Sequence, residues 1–119
     1  MRKLFLTTAL VVPTSAGAQP YSESMADCAA VYQNAAQWVK TDESADKMMH
    51  AAIQWAEAAV VQARAEGAAV STDALWQKID RKTEAWEAKG SAVFFSQDFR
   101  DWTQYCRRFA ADRGVSIVP

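Results

Sequence analysis

The chain has 119 residues, half of them hydrophobic, and a formal net charge of −1 at pH 7. This length bounds it to one domain, and the charge gives no electrostatic basis for binding nucleic acid or an anionic membrane surface. Beyond residue 18 the chain carries all fourteen acidic residues and eleven of the thirteen basic ones, a formal charge of −3. Glycine and proline are scarce and alanine is abundant, a composition that favours helix.

Residues 1–18 have the three parts of a secretory signal peptide. A basic start at Arg2 and Lys3 precedes the apolar run 4–12, and small residues end the segment at Ala18. The alternative is a membrane anchor, but a run of nine residues is too short for a bilayer core, which takes about 20. We therefore expect cleavage after Ala18, a mature domain of residues 19–119, no stable membrane insertion, and a bacterial protein located in the periplasm or secreted.

The first two helices are predicted from apolar side chains spaced three and four residues apart, which share one helix face. The first spans residues 24–40, with Ser24 as its N-cap. Its apolar stripe consists of Met25, Cys28, Tyr32, Ala35 and Val39. The second spans residues 42–66 and ends before Gly67, a residue type that accepts the left-handed conformation of helix ends. Its stripe consists of Met49, Ile53, Ala56, Val60 and Ala63.

The third predicted helix spans residues 72–89, is capped by Ser71 or Thr72, and has one polar face that we expect to be solvated. The fourth spans residues 96–113, with acidic residues early and arginines late, as the helix dipole favours. Its stripe consists of Phe99, Trp102, Cys106 and Phe109. Two segments leave alternatives open. Residues 92–95 form either an extra helical turn or a packed connection, and the tail 115–119 either folds back on the domain or pairs with another chain as a strand.

Cys28 and Cys106 are the only cysteines, and an even count in a small exported protein predicts a disulfide. If the first and last helices lie antiparallel with these cysteines opposite each other, Tyr32 meets Trp102 and the two apolar stripes match throughout. The sequence therefore predicts an all-α fold, a small antiparallel four-helix bundle of up-and-down topology, closed by one disulfide between the first and last helices. Three long helices with a short one are the alternative.

We find no catalytic constellation in the sequence and predict neither an enzyme nor a cofactor or metal site. His50 follows Met48 and Met49, residue types that ligate copper or haem iron. Met49 lies on the core stripe, however, while His50 projects about 100° away, so we interpret the methionines as core and the histidine as solvated.

Two sets of residues are candidates for a surface that binds a partner. Trp38, Trp55 and Trp76 lie at the edges of their apolar stripes, where exposed aromatic side chains would mark an interaction site. Arg100 and Arg107 share one face of the last helix and suit an anionic group.

The leading functional hypothesis is a non-catalytic exported module that binds another envelope or secreted protein. One alternative is a ligand-carrying bundle that holds a small apolar molecule, haem or copper between its helices. Another is a chaperone-like envelope stress protein, a class that is also small, helical and exported.

Overall fold

The structure, a computed structural model, describes residues 19–119, so the predicted signal peptide lies outside the described residues. The described part of the chain is all-α, with no strand. Its elements are α1 (Tyr21–Trp38), α2 (Asp42–Ala65), α3 (Thr72–Glu87), a short 3-10 helix (Ser91–Phe95) and α4 (Gln97–Arg113). The four helices predicted from the sequence are confirmed.

Three of the four helices begin at a hydroxyl side chain that accepts a hydrogen bond from the first turn, as N-caps do. Thr41 caps α2, Ser71 caps α3 and Ser96 caps α4. The predicted start and N-cap of α1 are wrong. This helix begins at Tyr21 and Pro20 takes the N-cap position, where its carbonyl oxygen accepts bonds from two backbone N–H groups. Ser24 lies inside the helix and accepts a hydrogen bond from Gln19 Nε2 at 2.9 Å.

The first helix is the centre of the fold: it packs against α2, α3 and α4, and ten of its eighteen residues are buried. Small side chains line its contact with α2. The almost fully buried alanines on the two helices are Ala26, Ala29, Ala30, Ala51, Ala52, Ala56 and Ala59. Because alanine has the smallest side chain after glycine, the two backbones approach closely here. The start of α1 meets the end of α2, where the Ser22 N–H donates to Glu66 Oε2 at 3.1 Å.

The buried face of α2 includes Ala56, Val60 and Ala63 as predicted, but it is rotated away from the rest of the predicted stripe. Ile53 was expected in the core but is 41% exposed, whereas Trp55 was expected at an edge and is fully buried. The alanines of this helix decide the orientation, since the face that Ala52 and Ala59 share with Trp55 is the one that fits against α1.

The last helix lies against α1 and is linked to it by the predicted disulfide, which the structure confirms. Cys28 and Cys106 are both fully buried, with their Cα atoms 5.7 Å apart. The ring of Tyr21, at the start of α1, lies 5.8 Å from the ring of Phe109 near the end of α4. The direction of α4 is therefore opposite to that of α1.

The two segments that the sequence left open both contact the core. Residues 91–95 form the 3-10 helix, with Val93 buried and Phe95 81% exposed. In the tail, Val115 and Ile117 pack against the core cluster, and His50 Nε2 lies 3.2 Å from the carbonyl oxygen of Ser116. The tail thus folds back on the domain.

An ion-pair cluster joins α1 to α3. Lys82 Nζ contacts the carboxylates of Asp27, at 2.6 Å, and Glu23, which also binds Lys78 at 2.8 Å. Partial burial acts to raise the pKa of Glu23, but hydrogen bonds from both lysines and their charges outweigh it and hold that pKa below its ordinary value of 4.5. Burial likewise acts to lower the pKa of Lys82, yet the two carboxylates raise it above 10.5.

Replacing Lys82 with methionine is expected to lower the free energy of unfolding at neutral pH by about 1 kcal/mol, since two carboxylates lose their shared partner. Because the pKa of Glu23 is lowered, Glu23 stabilises the fold at pH values above its ordinary pKa of 4.5, and this stability is lost as the pH falls through the pKa of the folded state. Because the pKa of Lys82 is raised, Lys82 stabilises the fold at pH values below its ordinary pKa of 10.5, and this stability is lost as the pH rises through the pKa of the folded state. Urea unfolding of the wild type and the variant from acidic to alkaline pH measures the difference in the free energy of unfolding.

Lys47→Met is the matched control, because Lys47 forms only an exposed pair with Glu43 on one helix. We expect this variant to stay within about 0.5 kcal/mol of the wild type. Equal effects of the two substitutions, or a difference between wild type and Lys82→Met that does not change with pH, would contradict a stabilising role of the cluster.

Candidate functional site

Two open grooves run along the flanks of α4, and they differ in chemistry. The first, the arginine groove, lies between α4, the end of α1 and the start of α2, and has a volume of about 350 Å³. It is lined by Tyr32, Ala35, Val39, Met48, Phe94, Phe99, Thr103 and Arg107. The second, the aspartate groove, lies between α4 and the start of α1 and has a volume of about 400 Å³. It is lined by Gln19, Ser24, Asp98, Asp101, Trp102 and Tyr105.

The arginine groove combines an apolar floor with a single charged side chain. Ala35 and Phe99 are buried and belong, with Val93, to an apolar cluster that is separate from the main core. Phe94 is half-buried above them, and its ring centre lies 5.0 Å from that of Phe99. Among the described residues of this lining, Arg107 is the one that carries a charge, and it is exposed, so its guanidinium is available to an anionic group.

Tyr32 adds a polar group to this otherwise apolar floor. Burial raises the pKa of its hydroxyl above 10.0, and the positive charge of Arg107 opposes only part of this rise. The hydroxyl therefore keeps its proton at neutral pH and remains a hydrogen-bond donor. The Thr103 hydroxyl already donates to the carbonyl oxygen of Arg100 at 3.0 Å, so the Tyr32 hydroxyl and the Arg107 guanidinium are the donors that the described lining offers to a guest.

The arginine groove continues along α4 beyond Arg107. The next concavity, of about 370 Å³, also has Arg107 in its lining, and its other wall is the C-terminal tail. This lining also includes Ala110, Ala111, Val115, Ser116, Ile117 and Val118. From Phe99 to Ala111 the helix advances about 18 Å at about 1.5 Å per residue. The combined surface is thus long, apolar and cationic at its middle.

The aspartate groove has aromatic side chains on the α4 wall. The rings of Trp102 and Tyr105 are 5.6 Å apart and nearly perpendicular, at 89°. Tyr105 is 41% exposed and lies against buried Phe109 at 5.4 Å, which itself stacks on Trp55. A continuous row of rings therefore connects this groove to the centre of the core.

The tryptophans predicted to form a surface do not form one. Trp55 is fully buried, which removes it from the candidate surface. Trp38 is 36% exposed at the end of α1, where its Nε1 donates to Asn34 Oδ1. Trp76 is half-buried near the start of α3, beside Arg64 at the end of α2. Since the end of α2 lies at the start of α1, Trp38 and Trp76 occupy opposite ends of the domain.

The two predicted arginines also differ in their surroundings. Arg100 is held at the start of α4, where its guanidinium donates to the Phe95 carbonyl at 3.0 Å and to Gln97 at 3.1 Å. Arg107 lines the groove. The sequence missed the groove-lining residues Met48, Phe94, Tyr32 and Tyr105, since each was interpreted as core or left unassigned. The sequence signal that points to them is an aromatic residue beside or outside a predicted stripe, as at Phe94.

No protein family, curated protein or solved structure matches this chain in sequence or fold comparisons. Within residues 19–119, no helix combines the length and the apolar character that a membrane crossing requires. The same residues contain no group of three or more histidine, cysteine or acidic side chains placed to hold a metal ion.

Proposed function

We propose that this is an exported, non-catalytic module that binds another envelope or secreted protein, built as an antiparallel up-and-down bundle. The observation that carries this proposal is the arginine groove with its continuation along the tail. This surface matches an amphipathic segment whose apolar side chains enter the groove and whose acidic side chain meets Arg107. An acidic group is favoured because the charged side chain among the described lining residues is the cation Arg107, and the Tyr32 hydroxyl lines the same groove.

The openness of the groove favours a polypeptide over the alternative of a small apolar ligand. Sites for small molecules bury about 70–90% of the ligand surface, whereas this groove is open to solvent along one side. A segment of a partner protein leaves its own outer face in water and needs no enclosure. The two grooves beside α4 are both open to solvent, an arrangement that favours a polypeptide over haem or copper held between the helices.

The disulfide supports the exported location. Buried disulfides form and persist in oxidising compartments such as the bacterial periplasm and the cell exterior. The Cys28–Cys106 bond joins the first and last helices of the domain, so it is part of the folded structure. Together with the three-part pattern of residues 1–18, it favours export followed by removal of the leader.

The test is selection of binding peptides from a displayed random library, followed by the Arg107→Glu variant. We expect selected peptides to carry an acidic residue flanked by apolar residues at helical spacing. Charge reversal at Arg107 should weaken their binding at least about tenfold, since a charge-assisted contact becomes a repulsion. Fluorescence anisotropy of the labelled peptides measures the affinity.

Arg108→Glu is the matched control, because Arg108 is an exposed neighbour on the same helix and does not line the groove. It should leave the affinity within about twofold, the change expected for an exposed charge outside the contact. Peptides that bind both variants equally well, or selected peptides that contain no acidic residue, would contradict the proposed surface. Preference of the groove for a fatty acid over every peptide would instead support the carrier.

A further inference from the structure

The aspartate groove presents two kinds of attraction for a cation at one place. The perpendicular rings of Trp102 and Tyr105 form a corner, and aromatic faces attract cations through the negative charge above each ring. The carboxylates of Asp98 and Asp101 line the same groove. None of the described residues that line this groove is basic, so within residues 19–119 a positively charged guest meets attraction from both the rings and the carboxylates.

The two carboxylates retain accessible oxygens. Asp98 contacts Lys89 at 3.8 Å, and both side chains are more than half exposed, an arrangement that contributes little to stability. Asp101 Oδ1 accepts from Gln97 at 2.7 Å. Among residues 19–119, the structure gives Asp101 Oδ2 no hydrogen-bond donor, and Asp101 is exposed, so this oxygen is available as an acceptor.

The set of acceptors distinguishes between classes of cation. A quaternary ammonium group donates no hydrogen bond, so it would use the ring faces alone and leave the exposed aspartate oxygens to water. A guanidinium group is planar, lies flat on aromatic rings and donates from its edge to carboxylates in pairs. The aspartate groove offers a ring face and carboxylate oxygens side by side, as this group requires.

We infer that the aspartate groove binds an arginine side chain of a partner protein, with the guanidinium against Trp102 and Tyr105 and its N–H groups donating to Asp101 and Asp98. This inference builds on the proposed protein-binding function but uses the opposite flank of α4. Together the two grooves recognise a partner surface that carries an acidic group and an arginine on either side of one helix. A partner with the reverse arrangement of charges would be repelled at both places.

The probe is a short peptide with one arginine between glycines, titrated against the isotopically labelled protein by NMR. The same peptide with citrulline is the matched neutral analogue, since it differs from arginine in charge and in one donor group. We expect the arginine peptide to shift the signals of Trp102 Nε1–H and of the Asp101 and Tyr105 amides. The citrulline peptide should bind at least about tenfold more weakly, as expected when a charged hydrogen bond is lost.

Two variants locate the site on the protein. Asp101→Asn keeps the shape of the side chain and should weaken arginine binding at least about fivefold, while Asp112→Asn makes the same charge change on an exposed part of α4 outside the groove and should have no effect. Arg107→Glu should also leave arginine binding unchanged, because Arg107 does not line the aspartate groove. A failure of the proposed function of the arginine groove can therefore be distinguished from a failure of this inference. Equal binding of arginine and citrulline, equal binding of a lysine peptide, or equal losses in the two aspartate variants would overturn the inference.

Discussion

Removal of the Cys28–Cys106 disulfide is expected to lower the free energy of unfolding by about 4.5 kcal/mol, because the bond closes a loop with a sequence separation of 78 residues. A small domain has a total of only about 5–15 kcal/mol. The double variant with alanine at both positions therefore unfolds, or retains a small part of its stability. Urea unfolding followed by far-ultraviolet circular dichroism measures the loss, with the oxidised wild type as reference.

The loss of stability after removal of the disulfide is expected to be uneven across the domain. The last helix has four buried residues among seventeen, whereas α1 has ten among eighteen. Hydrogen exchange of the double variant should therefore show α4 losing protection first, while the alanine contact between α1 and α2 keeps more of it. A loss below about 1 kcal/mol, or equal loss of protection in every helix, would contradict this account of the disulfide.

The same bond provides a check on export. Protein recovered from outside the cytoplasm should begin at Gln19 and contain the disulfide. Because both sulphur atoms are fully buried, added reductant should act slowly until the domain opens. Full-length protein that retains Met1 and accumulates in the cytoplasm with free thiols would contradict the proposed location.

The helices and their linkage were predictable because local chemistry determines them. Hydroxyl residues at 71 and 96 cap the helices they precede, and Gly114 takes a positive φ of 69° at the end of α4. The disulfide followed from having two cysteines on apolar stripes of matching spacing. The start of α1 was not predictable in this way, because Ser24 suits both an N-cap and a buried position inside a helix. Pro20, which precedes it in the chain, takes the N-cap position instead.

The candidate site was predictable only at Arg107. Whether a groove forms depends on the distance between one helix and its neighbours. The spacing of apolar residues along the sequence does not determine that distance. The error at Ile53 and Trp55 has a similar origin. Hydrophobicity favours isoleucine for the core, but the close contact of α1 and α2 requires the alanine-rich face, and Trp55 lies on that face. The preference of a whole interface for small side chains therefore outweighs the preference of one residue.

The Trp55→Ala variant is expected to show the second large effect, a loss of about 3–5 kcal/mol in the free energy of unfolding. Trp55 is fully buried and its ring stacks on Phe109, with centres 5.2 Å apart and planes 27° apart. Truncation leaves a cavity where α2 meets α4. Because Phe109 in turn lies against Tyr105, the loss should also weaken arginine binding in the aspartate groove.

Trp55→Phe separates ring packing from the indole N–H. Among the described residues, Trp55 Nε1 is buried without a hydrogen-bond acceptor, and such a donor costs about 1–3 kcal/mol. Phenylalanine is smaller than tryptophan, but it keeps a ring against Phe109 and removes this unpaired donor, which offsets part of the cost of the cavity. We therefore expect the variant to lose only about 1.5 kcal/mol and to bind the arginine peptide normally. Denaturant unfolding and the peptide titration measure both properties.

Trp38→Ala is the control for tryptophan truncation as such. This side chain is 36% exposed and makes one hydrogen bond, to Asn34, so its removal should cost about 1 kcal/mol. Similar losses for Trp38→Ala and Trp55→Ala would contradict the central position of Trp55. A large loss for Trp55→Phe would show that the indole N–H has a partner and that the row of rings from Trp55 to Tyr105 is stabilised by hydrogen bonding as well as by stacking.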